Sequence, residues 1–586
     1  MNKFVAVRQY LQDGIPDSFM SGSTIKFKAT LSQRVALFFL SPLFPWLAAL
    51  FAASLVITTI DVADDLHWSL QGPGLTFDEG FNIEVGVFLA RSFQLAGTSS
   101  FHPETLQEIY SNPLYNPDHP PLGRIAIGVT SEALNHFLPV ETGQPYLVSY
   151  ARVASAIEFG LLVLIISLAS RRWFGPVASC ATTISLICMP RLFGHAHLAS
   201  LEMCMCLTYT AFFLSLANRC KWDDRIGLRQ VLVPGFLLGL ALLTKIHAVL
   251  ILPVVLVWFL WNWGLRSLIA FVFLCVVGGV VFFVGWPWLW SDPLNHLNEY
   301  FSRATERSSL NCFYFGKKFA DTDVPWHYPF IMFLVTMPLG FLGTAVIGMT
   351  NRTDDENSKH ALRDKRSQLI FGAWLLPLIV FALPKVTVYD GVRLFLISFP
   401  LFAIFVGLGA KRIVHRLQMK SGEFTIVTLT VLGLAGPIYN MITLHPCHLS
   451  YYNEAVAGLW KANDLGFETT YWGDSATPEL LQAAAEKLPE GAVLEVAPVL
   501  HPLQLEFMRR GSWLRNRPDI VLKAYDDARS DLSPYVLVIR RKADPWESLT
   551  PPPEGTEQFA EVTKQGVVLA EVLKLPANAA TRQPAE

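Results

Sequence analysis

An all-α protein that crosses a membrane about eleven times, with a small α/β domain at its C-terminal end, is the architecture this sequence predicts. Three observations predict it. The 586 residues are 52% hydrophobic and only 16% charged, with a mean hydropathy of +0.37, a balance rare among soluble domains. Apolar runs long enough to span a bilayer recur along the first three quarters of the chain, most clearly at 35–60, 148–169, 265–285 and 424–444. From His445 onward the pattern changes to short apolar runs separated by polar turns, as in a domain that folds in water.

The elements follow in order. Residues 1–34 carry Lys3, Arg8, Lys26, Lys28 and Arg34 and lack the h-region and cleavage site of a signal peptide, which predicts a cytoplasmic N-terminal segment. Hydropathy then sets spans at 35–60, 148–169, 174–190, 198–217, 230–244, 247–263, 267–285, 327–349, 367–383, 393–410 and 424–444. Charge supplies an independent check, because short cytoplasmic loops collect Lys and Arg. With the N-terminus inside, the inside loops hold Arg171 and Arg172, then Arg219, Lys221, Arg225 and Arg229, then Arg352 with Lys359 to Arg366, then Lys411, Arg412, Arg416 and Lys420. The odd count leaves two long loops, 61–147 and 286–326, and everything after 444 on the extracytoplasmic face of the cell membrane. In the C-terminal region "YWGDSATPELLQAAAEKL" reads as a turn feeding a helix, and "AVLEVAPV", "YVLVIRR" and "VVLAEVLKL" read as strands. An α/β domain over 445–575 and a disordered tail at 576–586 complete the chain.

Composition also excludes. A formal net charge of −2 argues against a nucleic-acid partner. Most of the eight cysteines fall in predicted spans, where they act as small apolar side chains; Cys312 and Cys447 fall outside, where one disulfide is an option but no framework exists. The triplet Asn351-Arg352-Thr353 lies in a predicted inside loop, away from glycosylation.

Chemistry concentrates in the first outer loop. In "LTFDEGFNIEVG" two acids, Asp78 and Glu79, stand side by side soon after the first span. Thr76 and Glu79 have the spacing of a capping box, with the Glu79 carboxylate on the Thr76 amide, so one reading is a well-capped amphipathic helix on the membrane surface, with Phe81, Val85, Phe88, Leu89 and Ser92 on its apolar face. Some forty residues later "NPDHPPLGRIAIG" follows, in which two prolines hold the backbone extended and present His119 at the start of the next apolar segment. Charges recur at the ends of later spans: Arg191 and Glu202 bracket "RLFGHAHLASLE", Lys245 ends "LLTK", and Arg393 follows "VYDG". An ionisable residue at a span entrance is a functional-site candidate, with Arg191 the obvious counter-charge to Glu202.

The order "FDEG", "HPPLGR", an Arg-to-acid loop and "LLTK" resembles the lipid-phosphosugar-dependent glycosyltransferases of the GT-C fold, with protein O-mannosyltransferases and lipid A aminoarabinose transferases the nearest branches. The resemblance covers about 35–445 and departs from its pattern at Glu202, where Asp is usual. It implies transfer of a sugar from a polyprenyl-phosphate donor to a protein, lipid or glycan acceptor at the outer membrane surface, by inverting displacement. It implies further that Asp78 is the general base, with Glu79 capping the helix or helping to hold the acceptor. His119, Lys245, Arg393 and Arg191 would bind the donor phosphate and sugar, and Glu202 would serve the acceptor or form a second acidic site.

Other readings stay open on the residues alone. His195, His197 and Glu202 are metal-ligand types, but on a helix 195 and 202 share a face while 197 points elsewhere; no cofactor is firmly implied. A multi-pass transporter or flippase for a lipid-linked substrate is the alternative from another class, but it predicts internal repeats and mid-membrane polar groups, whereas charge here gathers at one set of span ends. "WPWLW" reads as an interfacial belt, and the basic face of "HPLQLEFMRRGSWLR" as solvated or glycan-binding.

Overall fold

The computed structural model describes residues 38–219, 226–305, 310–350, 364–420, 423–529 and 532–576. The N-terminal segment 1–34, Lys221, Arg225, the Asn351-Arg352-Thr353 triplet with the basic residues that follow it up to Arg363, and nearly all of the tail lie outside the described residues.

Every predicted span coincides with helix. The first three are α1 (Phe44–Ile57), followed after the first long loop by α5 (Val148–Phe174) and α6 (Pro176–Ile187), which part at Gly175–Pro176 because proline suits a first helical turn and cannot extend the helix before it. The first loop itself carries three helices, α2 (Glu79–Ala96), α3 (Pro103–Tyr110) and α4 (Leu122–Phe137). A short α7 (Pro190–His195) leads to α8 (Leu201–Arg219), α9 (Leu228–Leu242), α10 (Ile251–Trp263) and α11 (Leu268–Gly285). In the second loop α12 (Pro293–Thr305) precedes a hairpin of β1 (Asn311–Tyr314) and β2 (Lys317–Ala320), which hydropathy did not reveal. The remaining helices of the bundle are α13 (Tyr328–Thr336), α14 (Leu339–Thr350), α15 (Lys365–Val380), α16 (Ser398–Lys420) and α17 (Glu423–Leu444).

Among the described residues, four helical stretches are long and apolar enough to cross a bilayer: Val148–Phe174, Leu201–Arg219, Ile246–Gly285 and Ser398–Leu417. The third is 40 residues long and is made up of two helices, α10 and α11. Val277, Val281 and Gly285 of α11 sit against Gly235 and Gly239 of α9 and Leu243 just past its end, so these helices run parallel, and α10 between them in sequence runs the other way, reversing at Gly264 with φ +66°. The predicted span 327–349 is a pair, α13 and α14, bent by 110° at Pro338, whose missing N–H breaks the helical ladder.

α2 differs from the surface helix that its sequence suggests. No residue of Phe81–Ala90 is exposed, and the polar-looking face of Glu79, Asn82 and Gly86 is buried. Gly86 and Gly128 explain it. At their crossing a Cβ on either would collide with the other helix's backbone, so two glycines let α2 and α4 touch main chain to main chain. "WPWLW" is likewise interior: Trp286 is fully buried, its Nε1 donating to the Tyr115 hydroxyl at 2.6 Å, and Trp288 stacks on His296 at 4.1 Å.

The C-terminal region contains α18 (Gly458–Asp464), α19 (Pro478–Lys487), β3 (Val493–Ala497), α20 (Gln504–Gly511), β4 (Val521–Ala524), β5 (Tyr535–Ile539), β6 (Glu557–Lys564) and β7 (Val567–Lys574). They form one sheet of order β4-β3-β5-β7-β6, parallel across β4, β3 and β5 and antiparallel beyond. The sheet is docked on the first loop rather than standing clear of it. Phe507 of α20 rests on Gly80 and on the Phe81 ring at 4.9 Å, Arg510 pairs with Glu84 at 3.0 Å, and Arg515 pairs with Asp65, so two of the basic residues of this stretch are spent on the first loop while Arg509 is exposed. The seven described cysteines are free thiols; Cys312 and Cys447 are buried and unbridged.

Candidate active site

The helix ends on one side of the bundle, the first loop and the sheet enclose a cavity of about 290 Å³. Asp78, His119, Glu202, Lys245 and Arg393 line it, so five of the residues singled out in the sequence converge from positions more than 300 apart.

Asp78 stands immediately before α2 and is the open one of the two adjacent acids, its side chain 38% exposed. It accepts a hydrogen bond from Nη2 of Arg393. Glu79 is fully buried and does not line the cavity. Its carboxylate accepts from the Thr76 amide at 2.8 Å, which is the predicted half of the capping box, from the Ala199 amide at 2.8 Å, and from Arg152 at 2.8 and 2.9 Å. Arg152 also donates to the carbonyls of Pro73 and Gly74. A carboxylate satisfied on all sides by backbone and a paired guanidinium has no lone pair left for a substrate, so of the two expectations for Glu79 the geometry fits the capping one, and the residue also holds the loop onto α5.

Glu202, on the first turn of α8, accepts from Lys245 Nζ at 2.8 Å and from Arg393 Nε at 3.0 Å. Its counter-charges are therefore these two cations and not Arg191. The Arg191 side chain is turned toward the C-terminal region: Nε donates to the Tyr451 carbonyl at 3.1 Å and the guanidinium lies over the rings of Tyr452 and Tyr471, at 4.9 and 5.8 Å from their centres. Arg191 does not line the cavity.

Arg393 spends each nitrogen on a different acid. Nε meets Glu202, Nη1 meets Asp390 Oδ2 at 3.0 Å, and Nη2 meets Asp78, while the guanidinium plane stacks over Trp472 at 4.2 Å. Trp472, Arg541, Leu500 and His501 bring the C-terminal region into the wall. Leu500 and Arg541 lie just beyond the carboxyl ends of the parallel strands β3 and β5, where open α/β sheets gather ligand-facing residues. That strand-end rule is the signal by which Arg541 was findable; Trp472, read as part of a turn, had none.

His119 lies beside Asp118, which pairs with Arg124 at 2.7 Å. Arg124 is buried and also donates to the Asn82 side chain at 3.2 Å and the Asn116 carbonyl at 2.7 Å, locking "HPPLGR" onto α2. Burial acts to raise the Asp118 carboxyl, but Arg124 prevails and holds it below the usual carboxylate range. Burial pushes the His119 imidazole down to about 4, against the pull of Asp118, so His119 is neutral at physiological pH and offers a hydrogen bond rather than a charge.

His195, His197 and Glu202 do not assemble as a ligand set. His197 is held by the Thr59 hydroxyl at 2.9 Å and the Phe193 carbonyl at 2.8 Å and stacks on His448, while His195 packs at 5.5 Å against Trp472. Among the described residues no group of three or more His, Cys, Asp or Glu is arranged to hold a metal.

No family model matches this chain, and no curated protein does. Among solved structures, ArnT from Cupriavidus metallidurans bound to undecaprenyl phosphate is similar at 14% identity and a TM-score of 0.46, over 93% of this chain and 100% of that one. The oligosaccharyltransferase AglB from Archaeoglobus fulgidus, in complex with an inhibitory peptide and a dolichol-phosphate, is similar at 11% identity and a TM-score of 0.43, over 85% of this chain and 70% of that one. Both overlaps are long and loose.

Proposed function

We propose that this chain is an integral-membrane glycosyltransferase of the GT-C type that transfers a sugar from a polyprenyl-phosphate donor to an acceptor hydroxyl on the extracytoplasmic side. One observation carries the reading: a half-exposed carboxylate, Asp78, and two cations, Lys245 and Arg393, share one cavity at the ends of membrane-length helices. A lipid donor keeps its tail in the bilayer and its anomeric carbon at this level.

The chemistry then follows from charge. The acceptor oxygen attacks the anomeric carbon from the face opposite the phosphate, and its proton passes to an Asp78 oxygen. The bond from the anomeric carbon to the phosphate oxygen breaks with its electron pair on that oxygen. A diester monoanion becomes a monoester dianion, and Lys245 and Arg393 receive the added charge. Glu202 keeps the two cations together without direct substrate contact, and neutral His119 orients the sugar or phosphate through its ring nitrogen. The substitution inverts the anomeric centre.

The test is transfer from radiolabelled polyprenyl-phosphate sugars by purified protein in lipid. Asp78→Asn is expected to lower the rate by roughly 10²- to 10⁴-fold at unchanged melting temperature. Equal donor consumption by parent and variant would remove Asp78 from the chemistry, and no consumption across a broad donor panel would turn the reading toward transport.

A further inference from the structure

We propose that Arg541, contributed by the C-terminal sheet, is a positioning residue that keeps Arg393 available to the donor phosphate by sharing the charge of Asp390. The inference rests on the glycosyltransferase reading above and assigns the C-terminal region a part in it.

Asp390 is buried and stands in "VYDGVR", immediately before Gly391. Both residues have left-handed backbones, φ +53° and +65°. For a non-glycine residue that conformation is strained, so surrounding bonds must hold it. They come from two directions. Arg393 Nη1 donates to Oδ2 at 3.0 Å, and Arg541 Nη1 donates to Oδ1 at 3.0 Å. Arg541 is itself fixed by the Tyr471 carbonyl and by Asp544 at 2.8 Å. Gly391 seals the turn against the same region: a side chain there would come within 2.8 Å of the Tyr471 ring and 2.9 Å of Arg191 Nη1. The turn that presents Arg393 is thus held by a segment some 150 residues away.

The electrostatic consequence is specific. A buried carboxylate needs counter-charge. With Arg541 present, Asp390 divides its demand between two guanidinium groups. Without it, Asp390 draws on Arg393 alone, and an incoming phosphate must compete for the Nη1 edge. Loss of Arg541 therefore weakens phosphate binding through Asp390, and removing the Asp390 charge relieves the competition.

Binding of polyprenyl phosphate to the full-length protein in lipid nanodiscs tests this with Arg541→Gln, Asp390→Asn and the double variant. Arg541→Gln is expected to bind about tenfold more weakly, and the double variant to recover at least half of that loss on a logarithmic scale. A merely structural Arg541 would make the double variant the weakest of all, and that result, or parental affinity in Arg541→Gln, overturns the proposal. Arg541→Lys, the milder change should the Gln variant not fold, keeps the cation and is expected to bind within about threefold of the parent; a tenfold loss there also overturns it. Absence of polyprenyl phosphate binding in the parent would overturn the donor reading itself, an outcome distinct from these.

Discussion

At the scale of single residues the site is a balance of charges already satisfied. Arg393 is committed to Glu202, Asp390 and Asp78, so a donor phosphate reaches it only by displacing a carboxylate. Asp78 is the exchangeable one, because Glu202 and Asp390 are buried and Asp78 is 38% exposed. On the proposed mechanism the same exchange frees Asp78 to act as base when the donor arrives. A counterintuitive result follows for the variant expected to lose transfer: Asp78→Asn, lacking the competing charge, is expected to bind polyprenyl phosphate about tenfold more tightly than the parent, a difference of about 1.4 kcal/mol. Titration calorimetry or nanodisc pull-down measures it, and equal or weaker binding would show that Asp78 does not guard Arg393. Lys245→Met is expected to act oppositely, weakening donor binding and destabilising the fold by about 3 kcal/mol, since Glu202 loses a buried partner; a variant with parental melting temperature and donor KM would refute it. Much of this cluster was legible as ionisable residues at span ends. Which cation meets which acid was not. Arg191 precedes Glu202 by eleven positions yet faces Tyr451 and Tyr452, and the partner of Glu79 is Arg152, inside a span whose apolar pattern hides it.

At the scale of elements, the crossing of α2 and α4 sets the distance between "FDEG" and "HPPLGR". Gly86→Ala or Gly128→Ala forces two backbones apart, and a cost of about 1–3 kcal/mol is expected, with Asp78 and His119 separated and transfer reduced. Thermal unfolding and transfer rate measured together check it; parental values in both variants would mean the crossing is looser than it looks. The helices were legible because a 20-residue apolar run is a strong signal, as were three of the five strands. β4 and β6 were missed because they are short or carry charges on an exposed edge, and the α2 surface was misread because its buried face is polar and glycine-lined. The docked segment 472–474 supplies a pH dependence. Asp474 is buried, and burial pushes its carboxyl up to about 7. The folded state then holds a proton that the unfolded state has released above about pH 4, so stability falls as pH rises from about 4 to about 7 and levels beyond. Asp474→Asn removes that slope: its advantage in melting temperature over the parent is expected to grow across this window and then stay constant. A difference independent of pH between 4 and 8 would rule this out.

At the scale of the whole molecule, the proposed function requires one end of the bundle to face the compartment that holds the acceptor. Basic residues and the site lie at opposite ends of the same helices: Arg171 and Arg172 close α5, whose other end carries Arg152 beside Glu79, and Arg219 closes α8, whose other end carries Glu202. The positive-inside rule therefore predicts that the cavity, the first loop and the sheet lie outside. Single cysteines introduced at the exposed positions Glu141, Asp526 and Arg172 decide it, since the native cysteines in the described residues are buried or half-buried. In intact cells a membrane-impermeant maleimide is expected to label Glu141→Cys and Asp526→Cys, and to label Arg172→Cys only after permeabilisation. Labelling of position 172 alone in intact cells would invert the molecule, setting the cavity before cytoplasmic acceptors. Labelling of 141 without 526 would contradict the docking itself, because Arg510 and Arg515 of the C-terminal region pair with Glu84 and Asp65 of the first loop and the two cannot lie on opposite faces of a membrane.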